Sequence, residues 1–89
     1  MLSMRDCLDY CDLTDEDVAI FAEQARVPKA TAAQVMCGMA QTIEGILAVT
    51  RCLWEAEDRA RQAGLVEQAT RAQAARMRFM ATHPVTAAP

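Results

Sequence analysis

Alanine is the commonest residue of this chain, at 18 of 89 positions, and it recurs at helical spacings rather than in alternation. It favours helix more than any other residue and brings little buried area with it. That combination restricts the chain to an all-α architecture with a thin core. The larger apolar supply is six Leu, three Ile, six Val and six Met, with four aromatics: Tyr10, Phe21, Trp54 and Phe79. A chain of 89 residues makes one domain, and one this small buries only about 60–65% of the surface its unfolded chain exposes. The expected fold is a small bundle of four to five helices over residues 1–82, with 83–89 as a flexible tail. An alanine-rich helical surface packs best against another helix at close range, which a second copy of the chain would supply.

Periodicity and punctuation place the helices. Met4 to Cys11 is a short candidate helix. Thr14 then reads as an N-cap, with Asp17 three residues on completing a capping box and Asp15 and Glu16 complementing the helix dipole. Val18, Phe21, Ala22 and Ala25 form the inward stripe of that helix, and Pro28 ends it. The same proline can open the next helix, which runs to about Ala40. The seam from Ala32 through Met36, Met39, Ile43 and Ile46 to Leu53 fits one long helix. Gly38, Gly45 and the capping residue Thr42 favour a break at Gln41-Thr42 instead. From Ile43 the helix is expected to carry Ile43, Ile46, Leu47, Val49, Leu53 and Trp54 inward, with Glu55, Glu57, Asp58, Arg59 and Arg61 outward. Gly64 caps it. A last helix, Leu65 to about Ala81, presents Val66, Ala69, Gln73, Met77 and Met80 on one face and closes at His83-Pro84.

The segment Ala22 to Gly38 has Ala22, Ala25, Val27, Lys29, Ala30, Thr31, Val35 and Gly38 in an Ala-x-x-Ala-x-Val-x-x-x-Thr run. This resembles the helix-turn-helix of the lactose-repressor family. The resemblance covers 17 residues and implies a recognition helix whose Lys29, Thr31 and Gln34 face the DNA major groove. Arg26 stands where the family has its turn glycine and Pro28 where it has a serine. The helix before the turn is acidic, whereas phosphate binding needs positive charge. A helix-turn-helix packing corner without DNA is therefore the leading reading of the same segment. The chain as a whole is similar to small bacterial helical proteins whose second helix opens with Leu-Thr and acidic residues, which implies the architecture and no activity.

Charge is unevenly spread under the net −3. Residues 1–28 hold seven acids against two arginines, and residues 65–89 hold Arg71, Arg76 and Arg78 against Glu67. An acidic head and a basic tail can attract within one chain or between two. Neither end is a block of like charge suited to nucleic acid or membrane. Met1-Leu2-Ser3-Met4 runs into Arg5 and Asp6 without the apolar core of an export signal. A cytoplasmic location with reduced thiols and no disulfide framework is the expectation. The longest uncharged stretch, Ala30 to Ile43, has 14 residues, short of the roughly 20 apolar residues of a membrane span.

No catalytic or cofactor signature is complete. Cys7 and Cys11 lie one helical turn apart and could grip a soft metal, but no Cys-x-x-Cys pair exists and His83 is the one histidine. Core packing is the commoner role of such cysteines and methionines, so no metal site is assigned. The carboxylates of Asp15, Glu16 and Asp17 and of Glu55, Glu57 and Asp58 are explained by capping and solvation rather than acid–base chemistry. The three glycines are isolated, so no phosphate loop is present. The leading expectation is a non-enzymatic interaction or regulatory accessory protein that pairs with itself and with a protein partner. Its contact is expected on the long helix, at Leu47, Val49, Leu53 and Trp54, because that helix has more apolar width than one stripe requires. A DNA-binding regulator and a soft-metal or redox thiol protein are the alternatives.

Overall fold

A computed structural model describes residues 11–85. Residues 4–10 of the candidate helix Met4–Cys11, Cys7 among them, and residues 86–89 lie outside this range, and Cys11 itself lies in a turn. Within it every regular element is an α-helix: α1 (Asp15–Ala25), α2 (Lys29–Met39), α3 (Ile43–Gln62) and α4 (Val66–Thr82). No helix among the described residues is long and apolar enough to cross a membrane.

Local chemistry accounts for the boundaries. Thr14 Oγ1 accepts the Asp17 backbone N–H at 3.1 Å while Asp17 Oδ2 accepts that of Thr14 at 3.4 Å, the reciprocal cap expected at the start of α1. Arg26 ends α1 in the left-handed conformation, φ 60°, at the position where glycine is commonest. Thr42 starts α3 by accepting the Gly45 N–H at 2.9 Å, so residues 29–62 form two helices and not one. The break is also enforced at Gly45, where any Cβ would collide with the Met39 carbonyl. Gly64 takes φ 74° and turns the chain from α3 into α4.

The two long helices run antiparallel, cross-linked by Glu57 to Arg76 at 3.0 Å and by Arg61 to Gln73 at 3.5 Å. Their close approach uses Ala60 on α3 and Ala69, Ala72 and Ala75 on α4, all buried. Much of the alanine surface is thus covered within one chain. α1 packs on both long helices and α2 packs on α1 and α3, and the core gathers Leu13, Val18, Phe21, Ala32, Met36, Val49, Leu53 and Phe79.

Several inward faces differ from the sequence expectation. On α4 the buried row is Ala69, Ala72, Ala75 and Phe79, whereas Val66, Met77 and Met80 are exposed. Small residues win that face because they admit α3 at close range. On α3 the buried row is Val49, Leu53, Glu57 and Ala60, and Ile43, Leu47 and Trp54 point outward. Glu57 was expected at the surface. Its burial is offset by two guanidinium groups, Arg61 at 2.7 Å and Arg76 at 3.0 Å. Ala25 of α1 is exposed, and Asp17 takes its place in the buried stripe.

The thiols also depart from expectation. Cys11 and Cys37 are joined in a disulfide, their Cα atoms 5.6 Å apart across a separation of 26 residues. That Cα distance lies within the range disulfides span, and only the tertiary packing of Cys11 against α2 creates it. His83, expected in a loose tail, is anchored instead. Its ring stacks on Phe79 at 4.3 Å between centroids, and its Nε2–H donates to the Cys11 carbonyl at 2.7 Å.

Candidate contact surface

The outward row of α3 begins with Ile43 and continues through Leu47 to Trp54, four and then seven residues apart, so the three share one side of the helix. Each is half exposed. At about 100° per residue, this row lies roughly a third of a turn from the buried Val49–Leu53–Ala60 row. The helix is thus apolar over a wider arc than its own core requires. Arg61 lies seven residues beyond Trp54 on the same side, and its contact with Gln73 ties that side of α3 to one side of α4. Met77 and Met80 stand four and seven residues on from Gln73 and are also exposed. Because the helices are antiparallel, Trp54 and Met80 fall at the same level of the pair. Leu47, Trp54, Met77 and Met80 therefore belong to one side of the helix pair, and contiguous exposed apolar side chains of this kind mark contact sites.

The edge of this surface carries both signs of charge. Arg51 pairs with Glu55 at 3.4 Å along the helix, and Gln62 donates to Asp58 at 2.9 Å. Thr50 turns its hydroxyl back onto the Ile46 carbonyl at 2.8 Å and so presents its methyl carbon to the row. Arg76 sits at the α4 border with Nη1 3.8 Å from Met80 Sδ.

Of the residues expected at a contact, Leu47 and Trp54 lie on this surface. Val49 and Leu53 do not, since both are fully buried in the chain's own core and can only support the surface from beneath. Sequence reasoning grouped Met77 and Met80 with Ala69 on one face of α4 and did not name them as contact residues. The signal that could have found them is Ala69-x-x-Ala72-x-x-Ala75-x-x-x-Phe79, a second helical row that competes with the methionine row for the core.

The residues considered for DNA lie elsewhere. Thr31 and Gln34 are exposed on α2, and Lys29 is bound to Asp15 of α1 at 2.6 Å. The acidic start of α1 takes up two further basic groups, with Glu16 bound to Arg71 at 3.1 Å and Asp17 to Arg78 at 2.7 Å. Acidic head and basic tail thus meet within one chain. The Asp17–Arg78 bond is made by one guanidinium nitrogen, and the buried Arg78 Nε has no partner among the described residues.

A cavity of about 310 Å³ opens between α1 and the α3–α4 pair, with Ala60 and Ala72 in its wall and Glu23, Arg59 and Arg71 at its rim. Among the described residues no group of three His, Cys, Asp or Glu side chains is placed to hold a metal. Cys52, half-buried on α3, has its thiol pKa pushed above the ordinary value by burial and, secondarily, by the Glu55 carboxylate. No protein-family model matches the chain, and neither a curated protein nor a solved structure is significantly similar to it.

Proposed function

We propose that this chain is a non-enzymatic interaction module that works as a homodimer, with the Ile43–Leu47–Trp54 row of α3 and Met77 and Met80 of α4 as the contact. The observation that carries the reading is the exposed apolar row on a helix that has already filled its own side of the core. Such a row costs solubility unless something covers it. A second copy is the occupant its chemistry fits. In a two-fold antiparallel pairing of α3 centred near Thr50 and Arg51, Leu47 of one protomer meets the Trp54 position of the other, so the face is self-complementary. In that register Arg51 comes beside its own copy at the two-fold axis, where its intrachain pairing with Glu55 offsets the like charge. Large, flexible Met and Trp side chains are the types enriched at such contacts.

The DNA-binding alternative gains no support from the position of Lys29, whose charge is matched by Asp15. Sedimentation equilibrium tests the proposal. The wild-type chain should show a reversible monomer–dimer equilibrium with a Kd at or below about 100 µM. Leu47→Asp and Trp54→Glu should be monomeric with unchanged helical circular dichroism, because both residues are exposed within one protomer. A wild-type chain that stays monomeric throughout this range would remove the reading.

A further inference from the structure

Cys11 stands at a junction of three parts of the chain. Its sulfur is bonded to Cys37 of α2, its carbonyl is held by His83 beyond the end of α4, and it leads into Asp12 and Leu13 ahead of α1. Asp12 has φ 55°, in the left-handed region that favours glycine and that Asp enters more readily than most side-chain-bearing residues, and Leu13 beside it is buried. The chain is thus fixed on both sides of a strained residue. Releasing Cys11 would let Asp12 relax, so part of the disulfide's constraint works against the local backbone. The two sulfur ends also differ in access, since Cys11 is 4% exposed while Cys37 is only partly buried.

We propose that the Cys11–Cys37 bond is a reversible redox site, exchanged with small thiols of the glutathione type through Cys37. The reductant's thiolate attacks Sγ of Cys37, the Cys11–Cys37 bond breaks, and Cys11 leaves as a thiolate that takes up a proton. A second reductant thiolate then attacks the reductant sulfur of the mixed disulfide and releases the Cys37 thiol. The balance is one protein disulfide and two thiols giving two protein thiols and one small-molecule disulfide, with two electrons and two protons transferred. The reciprocal Thr14–Asp17 cap and the burial of Leu13 hold α1 without the bond. Reduction therefore frees Cys11 and Asp12 and loosens the His83 contact while the four helices persist. The inference does not depend on the dimer.

The test uses the full chain in a Cys7→Ser, Cys52→Ser background, so that one pair of thiols titrates. Equilibration with reduced and oxidised glutathione, followed by alkylation and mass spectrometry, should give a fully reversible two-electron transition in native buffer. Cys11→Ser should trap glutathione on Cys37, and Cys37→Ser should trap far less on Cys11. On reduction, amide exchange at residues 11–13 and 83 should rise roughly tenfold or more while the centres of α3 and α4 stay protected. A bond that millimolar glutathione opens only after denaturant is added would overturn the proposal in favour of a structural disulfide. So would a loss of protection spread evenly over all four helices.

Discussion

Gly45 and Gly38 look alike in the sequence, each an isolated glycine in a helical stretch, yet the structure gives them opposite tolerances. A Cβ at Gly45 would fall on the Met39 carbonyl and lie 2.7 Å from the Met39 Cα, whereas one at Gly38 meets nothing within 4 Å. Gly45→Ala should therefore lower unfolding free energy by about 2–3 kcal/mol, because backbone must move to make room. Gly38→Ala should raise it by roughly 0.5–1 kcal/mol through helix propensity. Urea titration followed by circular dichroism reads both, and equal effects at the two sites would contradict the close approach of α2 and α3. Cys52 supplies a second residue-scale expectation. Burial and, less strongly, Glu55 raise its pKa above the ordinary thiol value, so the folded chain favours the thiol. The stability it contributes is complete below the unfolded pKa and is lost as pH rises through the higher folded value. Alkylation at neutral pH should accordingly be slower in the folded chain than in urea by roughly tenfold or more. Equal rates would show Cys52 to be as available as in an open chain.

Among the elements, α3 and α4 depend on one buried carboxylate. Glu57 is 2% exposed and accepts from Arg61 and Arg76, and Arg76 is itself mostly covered. Glu57→Gln keeps the shape and removes the charge, leaving Arg76 partly buried against a neutral amide. A loss of about 3 kcal/mol is expected. Glu57→Leu combined with Arg76→Leu should recover much of it, since an apolar pair removes both desolvated charges. A double variant as unstable as Glu57→Gln would show that shape, and not charge, governs the site. This pair also marks where the sequence stopped being readable. Capping signals are local, so Thr14, Asp17, Thr42 and Gly64 disclosed the helix boundaries without tertiary knowledge. Facing is not local. Glu57 lies in a run of charged residues and reads as solvated until Arg76, 19 residues away, comes alongside. The choice between the alanine and methionine rows of α4 likewise rests on how near α3 must come. The Cys11–Cys37 bond, spanning 26 positions, has no signature in spacing at all.

At the scale of the whole molecule, the exposed apolar row was half legible for the same reason. The surplus apolar width of α3 could be counted along the sequence, and it singled out Leu47 and Trp54. The sorting of Val49 and Leu53 into the core required the positions of the helices that pack on α3. That sorting divides two kinds of variant. Leu53→Asp places a charge in a fully buried site and should unfold the protomer at any concentration, whereas Trp54→Glu alters a half-exposed side chain outside the core. Self-association that occurs only in the folded state stabilises by mass action, about 2.7 kcal/mol when the partner concentration reaches 100 times Kd. For a chain of this length each kcal/mol moves the melting temperature by roughly 4–8 °C. The wild-type Tm should therefore climb by several degrees or more as protein concentration rises from well below to well above the dimer Kd. Trp54→Glu should melt at the low-concentration wild-type temperature whatever its concentration. A Tm that rises equally in both proteins would place the association elsewhere on the molecule, and a flat Tm in both would leave the apolar row of α3 without a second copy to cover it.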